Sequence, residues 1–307
     1  MRFNPLIKGV ALGLAVIAFG TGRVGAEVSE VTIAQQFGIG YLPLMVMQDR
    51  KLLEKHAKAA VLGDIKVTWS RFTGGGPMND AILSGSLHFA SGGVGPLVTM
   101  WARTRGIIDV KGVAALNSMP LILTTRNPNV KSIKEFTEKD KIALPSVKVS
   151  IQAVTLQMAA EKIFGEGNHS RLDRFTVSMS HPDGTAAMLS GQGEITGHFS
   201  SPPFQYQQLA HKGIRAVLNS YEVLGGKSTF NLMWTTTKFR QENPKTYAAF
   251  VVALSEAMDF IGKNRKAAAA LYIRVAKSKD APEFILKMLN DPDIEFTMTP
   301  KNVMKYA

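Results

Sequence analysis

Apolar segments of four to seven residues alternate with longer amphipathic segments along most of the chain. In the first third, the segments "VTIAQQ", "IKVTWS", "HFAS" and "VKGVAAL" have the apolar, β-branched character of strands. Between them the apolar spacing predicts helices over about 43–56, 77–84 and 96–103. Strands that alternate with helices of this length indicate βαβ units and a mainly parallel sheet flanked by helices.

The same order of elements is repeated further along the chain. Predicted strands "KIALP", "RFTVSM", "ITGHF" and "IRAVLN" alternate with helices near 150–164, 182–190 and 203–211. The repeat extends to individual residues, because "AILSG" at 81–85 matches "AMLSG" at 187–191. This pattern predicts two similar α/β lobes.

Two apolar segments bracket the second block, and we interpret them as the crossings between the lobes. They are "LNSMPLILTT" and "TFNLMWTTT". A helical region follows, in which Asn243 can cap a helix and apolar residues at helical spacing from Tyr247 to Ile261 form one buried stripe. The resulting division assigns 27–124 and 225–307 to lobe 1 and 125–224 to lobe 2.

The first 26 residues have the pattern of a secretory signal peptide. Basic residues Arg2 and Lys8 precede an apolar run, and small residues end at Ala26. The run is about half the roughly 20 residues that a membrane-spanning helix needs. We therefore predict cleavage near Ala26, with a mature, exported, periplasmic protein that starts near Glu27.

Composition narrows the classes of function. The 307 residues are 45% apolar and 20% charged and include no cysteine, which excludes disulfides, thiol nucleophiles and thiolate metal sites. The net charge is +12, but the lysines are scattered rather than arranged in a stripe, so we expect no nucleic-acid partner. The six histidines lack metal-ligand spacing, and no catalytic signature is present. We expect no metal, no cofactor and no enzymatic activity.

Glycine, serine and threonine cluster after the predicted strands, at the edge where open α/β sheets bind ligands. Helix N-termini at that edge offer free N–H groups and a positive dipole end to an anion. Glycines there would let backbone amides approach a ligand closely, and hydroxyls would add donors. The residues concerned are Gly74, Gly75 and Gly93 for the backbone, and Thr73, Ser91, Ser150, Ser200 and Ser201 for the hydroxyls.

At this level the sequence resembles the periplasmic solute-binding proteins of the nitrate, taurine and aliphatic-sulfonate ABC importers. The resemblance rests on "YLPLMVMQDRKLLEKH", "GGGPMNDAILSGSLHFASGGVGP", "VKVSIQAVTLQMAAEKIFG" and "HPDGTAAMLSGQGEITGHFSSPPF". It implies a type II-like fold of two α/β lobes with a small anionic or polar solute held between them. It also implies docking on a membrane permease driven by an ATPase, and we expect a monomer.

The resemblance also implies which residues face the cleft. They are Ile39, Gly40, Tyr41, Thr73, Gly74, Gly75, Ser91, Gly92, Gly93, Lys148, Val149, Ser150, His181, Ser200 and Ser201. A ligand that contacts both lobes would favour the closed form. On this interpretation, Gly75→Val should weaken binding with little effect on the melting temperature.

Two alternatives stay open from the sequence. One is an exported enzyme with an open cleft, which lacks a nucleophile–base constellation in this sequence. The other is a binder of a thiamine-pyrimidine or aromatic-acid ligand. A pyrimidine synthase of the same fold relies on a cysteine-rich motif, and this chain has no cysteine.

Overall fold

A computed structural model describes residues 26–306, and these residues fold into two α/β lobes. The predicted signal peptide, 1–26, lies outside the described residues except for its last position. Among the described helices, none combines the length and apolar character needed to cross a membrane.

Ten strands form the two sheets. They are β1 (Glu30–Gln35), β2 (Lys66–Arg71), β3 (Ala90–Gly93), β4 (Val110–Ala115), β5 (Ile122–Thr125), β6 (Lys141–Leu144), β7 (Thr176–Ser178), β8 (Ile195–Phe199), β9 (Arg215–Asn219) and β10 (Asn231–Thr236). Twelve helices flank these sheets in the described chain. They are α1 (Leu42–Asp49), α2 (Leu52–Ala59), α3 (Gly75–Leu83), α4 (Val94–Thr104), α5 (Ile151–Phe164), α6 (His181–Ser190), α7 (Phe204–Leu209), α8 (Ser220–Leu224), α9 (Thr237–Glu242), α10 (Pro244–Lys263), α11 (Arg265–Ala276) and α12 (Pro282–Leu289).

The two sheets have the same strand order. In lobe 1, β1 pairs with β2 and β10 lies between β3 and β4, and a parallel bridge between Ile33 and Phe89 joins the two parts into the order β2-β1-β3-β10-β4. In lobe 2 the order is β7-β6-β8-β5-β9. In each sheet one strand, β10 or β5, is antiparallel to both of its neighbours. The predicted repeat of two mainly parallel α/β lobes is confirmed, with one antiparallel strand added to each.

The antiparallel strands lie within the two segments that we interpreted as crossings. The division of the chain into 27–124 plus 225–307 and 125–224 remains a prediction. Strand pairing concerns the predicted boundary at 124/125, because β5 begins at Ile122 and is hydrogen-bonded within the second sheet. A further segment runs beside both crossings, since the backbone of Glu295 pairs with Ser118 and the N–H of Thr229 donates to the carbonyl of Lys301.

The core of lobe 1 is centred on large apolar side chains from both chain ends. Phe89 stacks on Phe250 of α10 with ring centroids 3.9 Å apart, and Trp234 of β10 is fully buried. Phe250, Leu254 and Ile261 are buried, so the predicted apolar stripe of α10 is confirmed as core. This packing fixes the first strands and the C-terminal helices as one rigid body.

Two local predictions were wrong. The helix predicted over 43–56 is two helices, because Lys51 adopts a left-handed conformation with φ of 50° between α1 and α2. Asn243 does not cap α10 with its side chain; its amide oxygen accepts the N–H of Val28 at 2.8 Å. Instead, the carboxylate of Glu27 accepts the N–H groups of Lys245 and Thr246 at 2.9 and 2.7 Å, so the chain just after the predicted cleavage site satisfies the first turn.

Candidate functional site

The loops that follow the parallel strands of the two lobes face one another and enclose a small cavity. It is lined by Gln36, Phe37, Tyr41, Gly75, Gly93, Pro96, Pro145, Ser150, Ile151, Gln152, His181 and Phe230. Its volume is about 10 Å³, which is near the minimum for one water molecule. The two lobes are therefore closed on each other in this conformation.

Four helix N-termini converge on this central cavity. Gly75 begins α3, Gly93 caps α4, Ser150 caps α5 and His181 begins α6, and all four line the cavity. The free N–H groups and the positive end of each helix dipole favour negative charge at such a point. None of the lining residues carries a carboxylate, so no fixed negative charge opposes an anion there.

Two glycine clusters, at 74–76 and 92–95, allow the lobes to come into close contact. A Cβ atom added to Gly74 would lie 2.4 Å from the carbonyl oxygen of Pro145, and one added to Gly93 would lie 2.5 Å from the side chain of Ile151. The lack of a side chain at these positions is therefore required for lobe 1 to approach lobe 2. In this conformation the feature that both clusters face is the opposite lobe.

Gly75 has different surroundings from its neighbour Gly74. A Cβ atom at Gly75 would lie 2.5 Å from the ring of Pro96, which belongs to the same lobe. A substitution there would disturb the packing of α3 on α4 as well as the cavity. The expectation that Gly75→Val leaves the melting temperature unchanged is inconsistent with this contact.

The loop after β1 is held from both sides. The N–H of Ile39 donates across the cleft to the carbonyl of Pro202 at 3.1 Å. Gly40 packs against the crossing segments, where its carbonyl accepts the amide of Asn117 at 2.6 Å. The hydroxyl of Tyr41 donates to Asn231 at 3.3 Å, and Tyr41 lines the cavity.

Among the other predicted site residues, some are buried within the sheet of lobe 1 and others lie at the surface. Ser91 donates its hydroxyl to the carbonyl of Ala34 at 2.6 Å, which joins β3 to β1, and Gly92 is buried beside it. Thr73 and Lys148 are exposed and do not line the cavity, and Val149 is half-buried.

Three serines of lobe 2 behave differently from one another. The hydroxyl of Ser150 accepts the N–H of Ala153 at 3.2 Å and so caps α5. The hydroxyls of Ser200 and Ser201 are buried and have no hydrogen-bond partner in the described structure. Neither serine lines the cavity or the side chamber, so in this conformation the structure does not place them at a ligand site.

His181 belongs to a buried row of hydrogen bonds that extends away from the cavity. We call Gln152, His181, His198 and Gln208 the buried row. Nε2 of Gln152 is 3.3 Å from Nε2 of His181, Nδ1 of His181 is 3.2 Å from Nε2 of His198, and Nδ1 of His198 is 2.7 Å from Nε2 of Gln208. Only the first two residues line the cavity.

Both histidines of the buried row are neutral at ordinary pH. Burial lowers the pKa of His181 to about 3. Burial, with a smaller contribution from the nearby His181, lowers the pKa of His198 well below its usual range. The cavity is therefore lined by hydrogen-bonding groups that carry no net charge.

A larger space lies beside the cavity, and Gln36 and Phe37 line both. This side chamber has a volume of about 720 Å³ and receives residues from both lobes. Its apolar wall includes Met45, Leu189 and Phe204. Pockets of 300–1,000 Å³ are typical of small-molecule sites.

Three basic residues line the side chamber. Arg71, Lys277 and Lys279 form no ion pair with any described residue. The guanidinium of Arg71 lies 5.4 Å from the centre of the Phe37 ring, within cation–π range. Near the chamber, the carboxylate of Asp280 accepts hydrogen bonds from the amide nitrogen of the lining residue Gln207, at 2.8 and 2.9 Å.

Several residues of the site were not among those predicted from the sequence. Gln36, Phe37, Pro96, Gln152 and Phe230 line the cavity, and the side chamber had no counterpart in the predictions. Gln36 and Phe37 immediately follow β1, so the rule that located "FGIGY" could have included them. Gln152 lies in the first turn of α5, next to the predicted Ser150.

Comparison with solved structures supports the fold. A protein from Bordetella bronchiseptica RB50 aligns with a TM-score of 0.75 at 16% identity, over 91% of this chain and 88% of that one. The alkanesulfonate-binding protein SsuA from Xanthomonas axonopodis pv. citri, bound to MOPS, aligns with a TM-score of 0.69 at 16% identity, over 92% and 90%. The periplasmic nitrate-binding protein NrtA from Synechocystis PCC 6803 gives 0.66 at 15% identity, over 90% and 75%.

Sequence comparison finds a matching family but no matching curated protein. The NMT1-like family matches residues 24–276, which include both sheets and most of the residues around the cavity and the side chamber. The described α/β lobes, the shared strand order and this match lead to one conclusion: the chain belongs to the NMT1-like family.

Proposed function

We propose that this protein is the solute-binding component of an ABC importer and that it holds a small anionic or polar solute between its two lobes. One observation carries the proposal: four helix N-termini meet at one cavity whose lining contains no carboxylate. Structural neighbours described as binding alkanesulfonate and nitrate support the same class of ligand.

The mechanism follows from the contacts across the cleft. Each lobe alone offers two of the four helix N-termini, and closure around a solute brings all four to it. The cavity of about 10 Å³ has room for about one water molecule, so a bound nitrate or sulfonate would hold the lobes slightly farther apart than in this conformation. Hydrogen bonds to a charged group are worth about 1.5–3 kcal/mol when both partners leave water. A solute that gains contacts only in the closed form shifts the population towards closure.

The cellular setting is part of the proposal. We infer that the mature protein begins near Glu27, acts in the periplasm as a monomer, and delivers its solute to a membrane permease with an ATPase. In this role the protein is a binding module without catalytic activity. Co-purification of the mature protein from its own cells with a membrane permease and its ATPase would test the partner.

Ligand screening tests the central claim. Purified mature protein would be heated with nitrate, alkanesulfonates, taurine, aromatic acids and pyrimidines. A ligand at 100 times its dissociation constant should raise the free energy of unfolding by about 2.7 kcal/mol. Stabilisation by anions supports the proposal, stabilisation by pyrimidines alone favours the pyrimidine-binding alternative, and no stabilisation by any member contradicts both.

A further inference from the structure

The buried row contains an amide at each end and two neutral histidines between them. Gln152 and Gln208 are 2% and 0% exposed, and His198 is 0% exposed. His198 and Gln208 have no access to water, and His181, at 6% exposed, and Gln152 reach only the central cavity. Each of the three contacts in the row therefore needs a single hydrogen between its two atoms.

Counting hydrogens shows that the two amides cannot both point their nitrogen at the row. A neutral histidine has one ring N–H. If both amides donated, the ring hydrogens of His181 and His198 would meet at the central contact. If both amides accepted, that central contact would contain no hydrogen. One amide must therefore donate to the row while the other accepts from it.

The surroundings of Gln208 decide which end donates. Its amide oxygen lies 2.5 Å from the hydroxyl of Thr124, and its nitrogen lies 2.9 Å from the hydroxyl of Thr185. Separations of 2.5–3.0 Å are typical of O–H···O bonds, whereas N–H···O bonds have separations of 2.7–3.2 Å. The Thr124 hydroxyl has one hydrogen, and its other possible acceptor, the carbonyl of His198, is farther away at 3.2 Å. That hydrogen therefore goes to the amide oxygen of Gln208, and Gln208 directs its nitrogen at His198.

The rest of the row follows from this fixed end. Gln208 donates to Nδ1 of His198, so His198 carries its hydrogen on Nε2 and donates it to Nδ1 of His181. His181 then carries its hydrogen on Nε2 and donates it to Gln152. The amide of Gln152 must therefore be turned by 180° from the orientation with Nε2 towards His181, so that its oxygen accepts from the ring. The NH₂ group of Gln152 is left facing the cavity that both residues line.

We propose that Gln152 makes the cavity selective for hydrogen-bond acceptors, and that His198 and Gln208 are positioning residues that hold its amide with the nitrogen towards the solute. The proposal rests on the proposed function, because it assumes that the solute occupies this cavity. An oxyanion accepts this hydrogen bond, whereas a group with its own N–H places a donor against a donor. The selectivity for hydrogen-bond acceptors is thus set by His198 and Gln208, which lie behind His181 and do not line the cavity.

The first experiment needs no ligand. Long-range ¹H–¹⁵N NMR spectra of the protein labelled in histidine report which ring nitrogen carries the hydrogen. We expect both His181 and His198 to be protonated on Nε2. In the variant Gln208→Met, which removes the fixed end, we expect the signals of both rings to move towards a mixture. Protonation on Nδ1 in both rings of the parent protein would overturn the proposal.

The second experiment measures selectivity with methanesulfonate and methanesulfonamide, in which one oxygen is replaced by NH₂ and the negative charge is lost. Because the charge difference is the same for every variant, the change in the affinity ratio between parent and variant reports the amide. The parent should bind methanesulfonate at least about tenfold more tightly, and Gln208→Met should reduce that ratio severalfold. Gln205→Met is the matched control: Gln205 is a buried amide on the same helix, but it contacts Ile122 and Pro120 instead of the row. An equal loss of selectivity in both variants would overturn the positioning role.

The two experiments distinguish the possible failures. If neither compound binds the parent, the proposed ligand class is wrong, while the NMR result still decides the arrangement of the row. If methanesulfonate binds and Gln152→Met binds it as tightly as the parent, Gln152 does not contact the solute and the selectivity claim is wrong. A loss of about tenfold in Gln152→Met supports it.

Discussion

The central cavity and the side chamber share the wall formed by Gln36 and Phe37, yet they differ in size and charge. The cavity measures about 10 Å³ and is lined by uncharged groups and helix N-termini, whereas the side chamber measures about 720 Å³ and is lined by three basic side chains and an apolar wall. A tight site selects among ligands by the direction of its hydrogen bonds. An open site selects them by shape and by charge, and dissolved salt screens the effect of that charge.

Because of this difference, we expect the two spaces to recognise different parts of a ligand. The cavity can fix a small acceptor group, and the side chamber has room for the body of a larger organic anion. Inorganic anions would then use the cavity alone. The predictions below separate the two spaces, beginning with the largest expected effect.

The two neutral histidines of the buried row should make the fold sensitive to acid. The pKa of His181 is lowered to about 3 and that of His198 is also lowered, so the unfolded state, with its ordinary value of 6.5, takes up protons first as the pH falls. Their contribution to stability is intact above about pH 6.5 and is lost as the pH falls towards 3. The free energy of unfolding should drop by up to about 1.4 kcal/mol per pH unit for each histidine.

Denaturant unfolding at pH 7.5, 6 and 5 measures this slope. His198→Gln should reduce the slope without abolishing it, because His181 and the half-buried His88, whose pKa is also lowered by burial, still contribute. The control His211→Gln, at an exposed histidine, should leave the slope of the parent protein in place. Equal slopes for all three proteins would show that the acid sensitivity has another origin.

Closure of the cavity should depend on Gly74. Gly74→Ala places a methyl group against Pro145, whereas Gly76→Ala in the same turn meets no atom closer than 3.7 Å. We expect Gly74→Ala to weaken binding of the best ligand at least about tenfold, or about 1.4 kcal/mol, and Gly76→Ala to have little effect. Isothermal titration calorimetry gives the affinities, and similar values for the two variants would contradict a closed binding form.

The apolar wall of the side chamber should matter only for ligands with an apolar body. Leu189→Glu should weaken binding of an aromatic or long-chain sulfonate about fivefold, or about 1 kcal/mol, without affecting methanesulfonate. Leu83, at the equivalent position of the repeated "LSG" segment, is also exposed but lies outside the side chamber, so Leu83→Glu is the matched control. Equal losses for both ligands would show that the side chamber is not a separate part of the site.

The smallest effect is expected from the basic rim. Arg71→Gln should weaken binding of large organic anions about twofold at low salt, and the difference should vanish at high salt because exposed charges are screened. Arg105→Gln is the control, since Arg105 also lies over an aromatic ring, 5.5 Å from Trp101, but outside the side chamber. A loss that persists at high salt would indicate a direct, buried contact instead.

Local sequence patterns predicted much of the fold because most elements follow short-range rules. The stripe of α10 and the order of strands and helices in both lobes could be read from periodicity. The break at Lys51 could not, because the polar stretch 48–51 fits an exposed helical turn as well as a helix boundary. The cap of α10 also could not, because Glu27 lies more than 200 residues away along the chain.

The candidate site was predicted less completely than the fold. Tyr41, Gly75, Gly93, Ser150 and His181 line the cavity as expected from the loops that contain them. Exposed Thr73 and Lys148 lie in the same loops but outside the cavity, because loop membership does not fix the direction of a side chain. The ligand-binding roles of all the predicted residues remain predictions.

The sequence by itself determined the repeated α/β order, the glycine-rich loops at one edge of each sheet and the apolar helices that complete lobe 1. These features depend on periodicity and backbone freedom, which a short stretch of chain contains in full. The tertiary structure alone decided that Gly74 faces Pro145 while Gly75 faces Pro96, that Gln208 stands behind His181, and that Arg71 and Lys279 border one chamber. These contacts join separate elements of the chain. Packing within each lobe determines most of them, and the packing of one lobe against the other determines the contact of Gly74.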